Sequence, residues 1–186
     1  EEISTLARQK WWKERDGGSG DANLWFRPLN MKKEADRYRT ARHEAWRDIH
    51  GMSVPFDGDG FVKDALRCWR QDPNQAVMWA MRRDEPAGIL QLDLERDAAQ
   101  GVGYIPFFYM MPQLRCQGLG VQLLGQAVST FRPLGRTRLR LRCAPDNGRA
   151  QRFYQKHGFV KVGEEQGARV PLDILEKNIG FETKEE

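Results

Sequence analysis

A strand that must turn into a helix through two glycines is the feature that most constrains this chain. Gly103 to Met111 is apolar and rich in aromatics. Val121, Leu124, Ala127, Val128 and Phe131 then recur at helical spacing. The joint reads Arg115-Cys116-Gln117-Gly118-Leu119-Gly120. Glycine lets a backbone bend tightly and approach a ligand with no Cβ in the way. The free N–H groups of the following first turn converge on one spot, an anion site suited to a pyrophosphate. Two common phosphate motifs do not fit. Gly120 is followed by Val121, Gln122 and Leu123, so the third glycine of Gly-x-Gly-x-x-Gly is missing, and there is no Gly-Lys-Ser/Thr.

A second segment follows the alternating strand Thr137 to Cys143. It reads Pro145-Asp146-Asn147-Gly148-Arg149-Ala150-Gln151-Arg152-Phe153-Tyr154-Gln155-Lys156-His157-Gly158-Phe159. Together, Arg-x-x-Gly-x-Gly on a strand–helix turn and the later Asn-x-x-Ala-x-x-Phe-Tyr-x-x-x-Gly-Phe resemble the GNAT superfamily of acetyl-CoA-dependent N-acetyltransferases. The likeness spans about residues 24–180 and is carried by 104–163.

The resemblance implies an α+β fold: a mixed, mostly antiparallel sheet of six or seven strands, with helices on both faces. A splayed central strand pair, here 101–111 and 137–143, would admit the cofactor. Acetyl-CoA is the implied cosubstrate and an amine-bearing small molecule or protein the implied acceptor, attacked directly in a ternary complex. Backbone N–H groups of Arg115, Cys116, Gln117, Gly118, Leu119, Gly120 and Val121 would hold the pyrophosphate. Phe108, Met110 and Met111 would lie along the pantetheine arm, with the Met110 N–H directed at the thioester carbonyl. Asn147 matches a cofactor-contacting asparagine, although Asn is also a favoured helix cap. Tyr154 matches the tyrosine that contacts the cofactor and protonates the departing thiolate, a role within reach of a phenol of pKa about 10.

The rest of the chain frames these motifs. Residues 1–21 read as a helical arm (2–15) and a Gly/Ser linker; two readings stay open, an arm that packs on the domain or on a partner and a mostly disordered terminus, and a homodimer is compatible with the first. Residues 22–181 form the acetyltransferase-like domain and 182–186 a loose acidic tail. Within the domain the expected order is strand 24–29, helix 32–49, loop 55–60, helix 61–70, strands 76–82, 87–95 and 101–111, helix 118–132, strand 137–143, helix 145–157, and a hairpin of 159–164 with 170–179. No apolar run approaches the ~18 residues of a membrane span. The start is acidic rather than a basic and then apolar leader, and three widely spaced cysteines form no metal or disulfide pattern, so a cytoplasmic protein is expected.

A general base is the residue the pattern does not supply. Strand 101–111 holds no acid, leaving Asp93, Glu95, Glu44, His43 or a water relay. The acceptor would meet Trp46, Phe56, Asp57, Asp59 and Trp69. Two other functions fit parts of the pattern. One is a non-catalytic acyl-CoA-binding module. The other is a nucleic-acid binder using Arg138, Arg140 and Arg142; a net charge of +4 suits an anionic ligand without demanding nucleic acid, and none is expected.

Overall fold

The computed structural model describes residues 23–181. The readings of an N-terminal arm and an acidic tail lie outside them. Seven strands form one sheet in the order β1-β2-β3-β4-β5-β7-β6. They are β1 (Leu24–Pro28), β2 (Val77–Arg82), β3 (Glu85–Asp93), β4 (Val102–Met110), β5 (Arg138–Cys143), β6 (Val160–Glu165) and β7 (Leu172–Asn178). Every pairing is antiparallel except β4 with β5. Four helices cover it: α1 (Met31–His50), α2 (Gly58–Gln71), α3 (Gly120–Phe131) and α4 (Gly148–Lys156).

The alternation of strand side chains splits the core in two. Val77, Trp79, Met81, Ile89, Phe107 and Tyr109 meet Tyr38 and Ala41 of α1 and Ala65 and Cys68 of α2. Met78, Leu90, Leu92, Ile105, Leu139 and Leu141 meet Leu124, Ala127 and Phe131 of α3 and Tyr154 of α4. Helices therefore lie on both faces, as the resemblance implied.

Caps set the boundaries that periodicity misplaced. The Asp57 carboxylate accepts the Gly60 N–H at 2.9 Å, so Asp57-Gly58-Asp59-Gly60 opens α2 instead of forming a loop. Asn147 accepts the Ala150 N–H, so α4 starts three residues later than expected. Strand β3 ends at Asp93 because that carboxylate takes the N–H groups of Glu95 and Arg96, at 3.2 and 3.0 Å, and turns the chain.

Strands β3 and β4 approach closely at Gly88, where an added Cβ would stand 2.1 Å from the Tyr109 carbonyl oxygen. Gly88→Ala is expected to cost about 1–3 kcal/mol, the usual penalty of overpacking. Urea unfolding should show a lower midpoint at unchanged slope. A wild-type midpoint would mean that this register is wrong.

Candidate functional site

The site begins with an interruption in strand β4. Leu90 pairs with Phe108 and Gln91 with Phe107, but Asp93 pairs with Tyr104, so two steps of β3 face three of β4. The extra step is a bulge holding Ile105 and Pro106, and Pro106 has no N–H to give. On the other side, β4 pairs with β5 only through Val102, Gly103 and Tyr104. Beyond Tyr104 the two strands part, while β5 stays with β7 along its whole length.

Parting exposes chosen backbone groups. The Met111 N–H donates to the Ala87 carbonyl at 2.9 Å, so residue 111 faces β3. In an antiparallel ladder that direction alternates, so Phe107 and Tyr109 also face β3, and Phe108 and Met110 face the side that β5 has left. Of the groups so turned, the Met110 carbonyl accepts from Arg115 Nε at 2.8 Å.

A cavity of about 1120 Å³ runs through this opening, from α4 and the glycine turn on one face to α1, α2 and the β6–β7 hairpin on the other. Cys116 and Gly118, both at positive φ (62° and 74°), bend the turn along its wall. Helix α3 then starts at Gly120, and Leu119 before it gives no side-chain cap, whereas Asn30, Asp57 and Asn147 cap the other three helices. Among the described residues, no loop or turn backbone hydrogen bond is donated by residues 116–121. These N–H groups are the orphan donors of a helix start. The two glycines serve different ends. A Cβ at Gly118 meets nothing within 4 Å, so that position needs glycine for its backbone angle. A Cβ at Gly120 would lie 2.9 Å from the Phe153 ring, so that position needs glycine for packing.

Of the residues singled out in the sequence, Phe108, Met110, Arg115, Cys116, Gly118, Leu119, Gly120, Val121, Asn147 and Tyr154 line the cavity. Met111 and Gln117 do not. Met111 packs into the α1/α2 core, and the Gln117 side chain is turned away, donating to the Gln113 carbonyl and accepting from Arg82. Tyr154 is buried, edge-on to Phe108, Phe153 and Phe159. Burial, and then the nearby Cys143, push its phenol well above the ordinary range, so it stays protonated. Spacing alone could have found three further cations on the wall, Arg149, Arg152 and Lys156, which share one face of α4 at i, i+3 and i+7.

Helix α1 is tied to the turn by charge. Arg115 reaches Glu44 at 3.1 Å and Asp48 at 3.2 Å, and Arg149 reaches Asp48 at 2.8 Å. Glu44 is thereby committed to Arg115. Glu95 is exposed on the surface, and His43 stacks on Phe56 with centroids 4.7 Å apart. Asp93 does line the cavity, but it accepts from Arg67 at 2.6 Å, from Gln71 at 2.8 Å and from two backbone N–H groups. His50 and His157 also line it. Burial first, and then Arg169 beside His50 and Lys156 beside His157, hold both below the usual histidine range and hence neutral at pH 7. Among the described residues, no group of His, Cys, Asp and Glu could hold a metal ion, and no helix is long and apolar enough to cross a membrane. The arginine face of β5 is met by carboxylates: Arg138 and Arg140 by Glu176, Arg140 also by Asp97, and Arg142 by Glu165, at 2.7–3.0 Å.

The comparisons with known proteins agree with this architecture. A family model described as the acetyltransferase (GNAT) family matches residues 37–159. No curated protein matches the chain. Among solved structures, a GNAT-family acetyltransferase from Staphylococcus aureus Mu50 superposes with a TM-score of 0.68 at 11% identity, covering 85% of this chain and 100% of its own. The PaiA N-acetyltransferase of Thermoplasma acidophilum, solved with coenzyme A, gives 0.65 at 16% identity over 84% and 99%. Arabidopsis thaliana Naa50, bound to a CoA–peptide bisubstrate analogue, gives 0.62 at 17% over 83% and 97%. At such identities the likeness is one of fold.

The Asp93 geometry makes a pH prediction. Burial alone would raise its carboxyl pKa, but the Arg67, Gln71 and backbone donors outweigh burial and hold it below the usual range. The stabilisation is therefore present above the unfolded-state value of about 3.9 and lost as pH falls through the lower folded value. Asp93→Asn should lose about 2–4 kcal/mol at pH 7. In urea unfolding the gap from wild type should stay constant between pH 8 and 5, then shrink on further acidification. A gap that changes between pH 5 and 8 would instead mark Asp93 as a base that titrates near neutrality.

Proposed function

The chain belongs to the GNAT acetyltransferase family, and on that premise we propose that it moves an acetyl group from acetyl-CoA to a primary amine by direct attack in a ternary complex. The observation that carries this reading is the parting of β4 from β5 after Tyr104, beside an uncapped helix start. It leaves the Phe108 and Met110 backbone facing a cavity of about 1120 Å³ that reaches from the glycine turn and α4 to α1 and α2.

Acetyl-CoA supplies the activated thioester, and the protein holds and polarises it. The turn 116–121 suits the pyrophosphate: its N–H groups meet no loop or turn acceptor, while that of Arg115 goes to the Pro112 carbonyl, and the α3 dipole favours negative charge there. Arg149, Arg152 and Lys156 add positive charge along the same wall. The open edge of β4 suits the pantetheine amides as an added strand would. The Met110 N–H is the donor for the thioester carbonyl, where negative charge grows as the amine attacks.

When the N–C bond forms and the C–S bond breaks, the sulfur leaves with the electron pair and needs a proton. Tyr154 is the donor in this reading. Its burial keeps the proton on at neutral pH. A thiolate released beside the buried Tyr154 is the stronger base toward that proton the less water reaches it. The amine's proton leaves through water or a neutral cavity histidine, since Glu44 and Asp93 are spent on structure.

Tyr154→Phe removes one hydroxyl and keeps the three ring contacts. Acetyl-CoA affinity and melting temperature should change little. Single-turnover transfer should slow by about 10²–10⁴-fold, the usual worth of a positioned acid. Full activity with unchanged melting would remove Tyr154 from the mechanism.

A further inference from the structure

Among the described residues, one cation at the acceptor end of the cavity has no anion. Arg42, on α1, lines the wall between the rings of Phe107 and Phe61, whose centroids lie 3.9 and 4.4 Å from its guanidinium carbon. Its hydrogen bonds go only to neutral oxygens: the Tyr38 hydroxyl at 2.9 Å, the Pro106 carbonyl at 3.2 Å and the Gln91 amide at 3.5 Å. Among the described residues no carboxylate lies within ion-pairing distance of it, and Nη1 makes no hydrogen bond.

The neighbouring charges are already committed. Arg67 pairs with Asp64 at 2.8 Å and with Asp93 at 2.6 Å. Asp57 caps α2. Arg96 lies over the Tyr104 ring at 3.8 Å, with Asp97 and Glu165 within 4 Å. Arg42 alone is half-buried, packed between aromatic faces and uncompensated. Such a charge is costly to keep unless a ligand meets it. Its planar fork matches a carboxylate, which can take two parallel N–H bonds. Its place beside the Pro106 carbonyl puts it at the bulge, next to the open edge of β4.

We propose that Arg42 recognises a carboxylate on the acceptor, so that the amine substrate belongs to the amino-acid class. This rests on the acetyl-transfer reading above. The remaining wall agrees with an amino acid: Trp46, Phe61 and Phe107 offer apolar surface to a side chain. Arg42 acts here as a specificity residue: it selects the acceptor and leaves the cofactor's site untouched.

The test compares phenylalanine with phenylalaninamide, and leucine with leucinamide, as acceptors in a thiol-release assay. Wild-type protein should favour the acids in kcat/KM by roughly 10–100-fold, the worth of a charge-assisted hydrogen-bonded pair. Arg42→Gln should abolish the preference while acetyl-CoA affinity stays unchanged. Arg42→Lys keeps the charge without the fork and should keep part of it, and it serves if the glutamine variant fails to fold. A second readout needs no turnover: calorimetric titration of N-acetylphenylalanine and its amide into the CoA-bound protein. Transfer with no acid–amide difference, a preference that survives Arg42→Gln, or product binding indifferent to the carboxylate would each overturn the proposal and leave acetyl transfer standing. Arg42-dependent binding of the acid with no transfer to any amine would uphold the anion site and count against the acetyl-transfer reading instead.

Discussion

The loss of pairing between β4 and β5 beyond Tyr104 is the constraint on which the rest of this structure depends. An unpaired strand edge leaves N–H and C=O groups that need another partner. Here that edge faces the cavity. The bulge at Ile105 and Pro106 bends β4 away, while β7 keeps β5 straight by pairing with all six of its residues. Everything functional collects around the resulting gap. The glycine turn and α4 close it on one face, and α1, α2 and the β6–β7 hairpin close it on the other.

Charge then joins the two faces. Arg115 stands in the turn, yet its guanidinium is held by Glu44 and Asp48 of α1, and Asp48 also holds Arg149 of α4. The helix that carries Arg42 thus also steadies the glycine turn. These pairs are only partly shielded from water, so each contributes modestly to stability. Their value lies in fixing orientation. The same helix supplies Tyr38, whose hydroxyl is hydrogen-bonded to the buried amide of Gln91 at the sheet's centre.

Much of this was legible in the residues, and the gaps have physical reasons. The strand–turn–helix joint showed itself because a continuous apolar, aromatic-rich run gave way to helical spacing across Gly118 and Gly120. The order of all seven strands and four helices followed from periodicity and turn residues. Boundaries slipped where a side chain decided them: Asp57, Asp93 and Asn147 each end or start an element through a hydrogen bond that no periodicity reports. Met111 stands off the cavity wall for a related reason. Backbone direction alternates along a strand, so Met110 can face the gap only if Met111 faces β3. Arg42 was hidden most completely. In sequence it is one of several arginines on a charged helix, and only the fold shows that it alone faces rings and neutral oxygens. The Arg138, Arg140 and Arg142 stripe is the opposite case: conspicuous in the sequence, it is met by carboxylates from β6, β7 and residue 97 that no local pattern announces.

The central claim is that the open edge of β4 and the uncapped start of α3 receive acetyl-CoA through backbone N–H groups. Amide NMR on ¹⁵N-labelled protein titrated with acetyl-CoA tests it most directly. The account predicts saturable shifts and slowed hydrogen exchange at Phe108, Met110 and Gly118 to Val121, with Phe107 and Tyr109, which face β3, nearly unmoved. Saturable binding that leaves Met110 and the Gly118–Gly120 amides unchanged, or no binding at all, would contradict it.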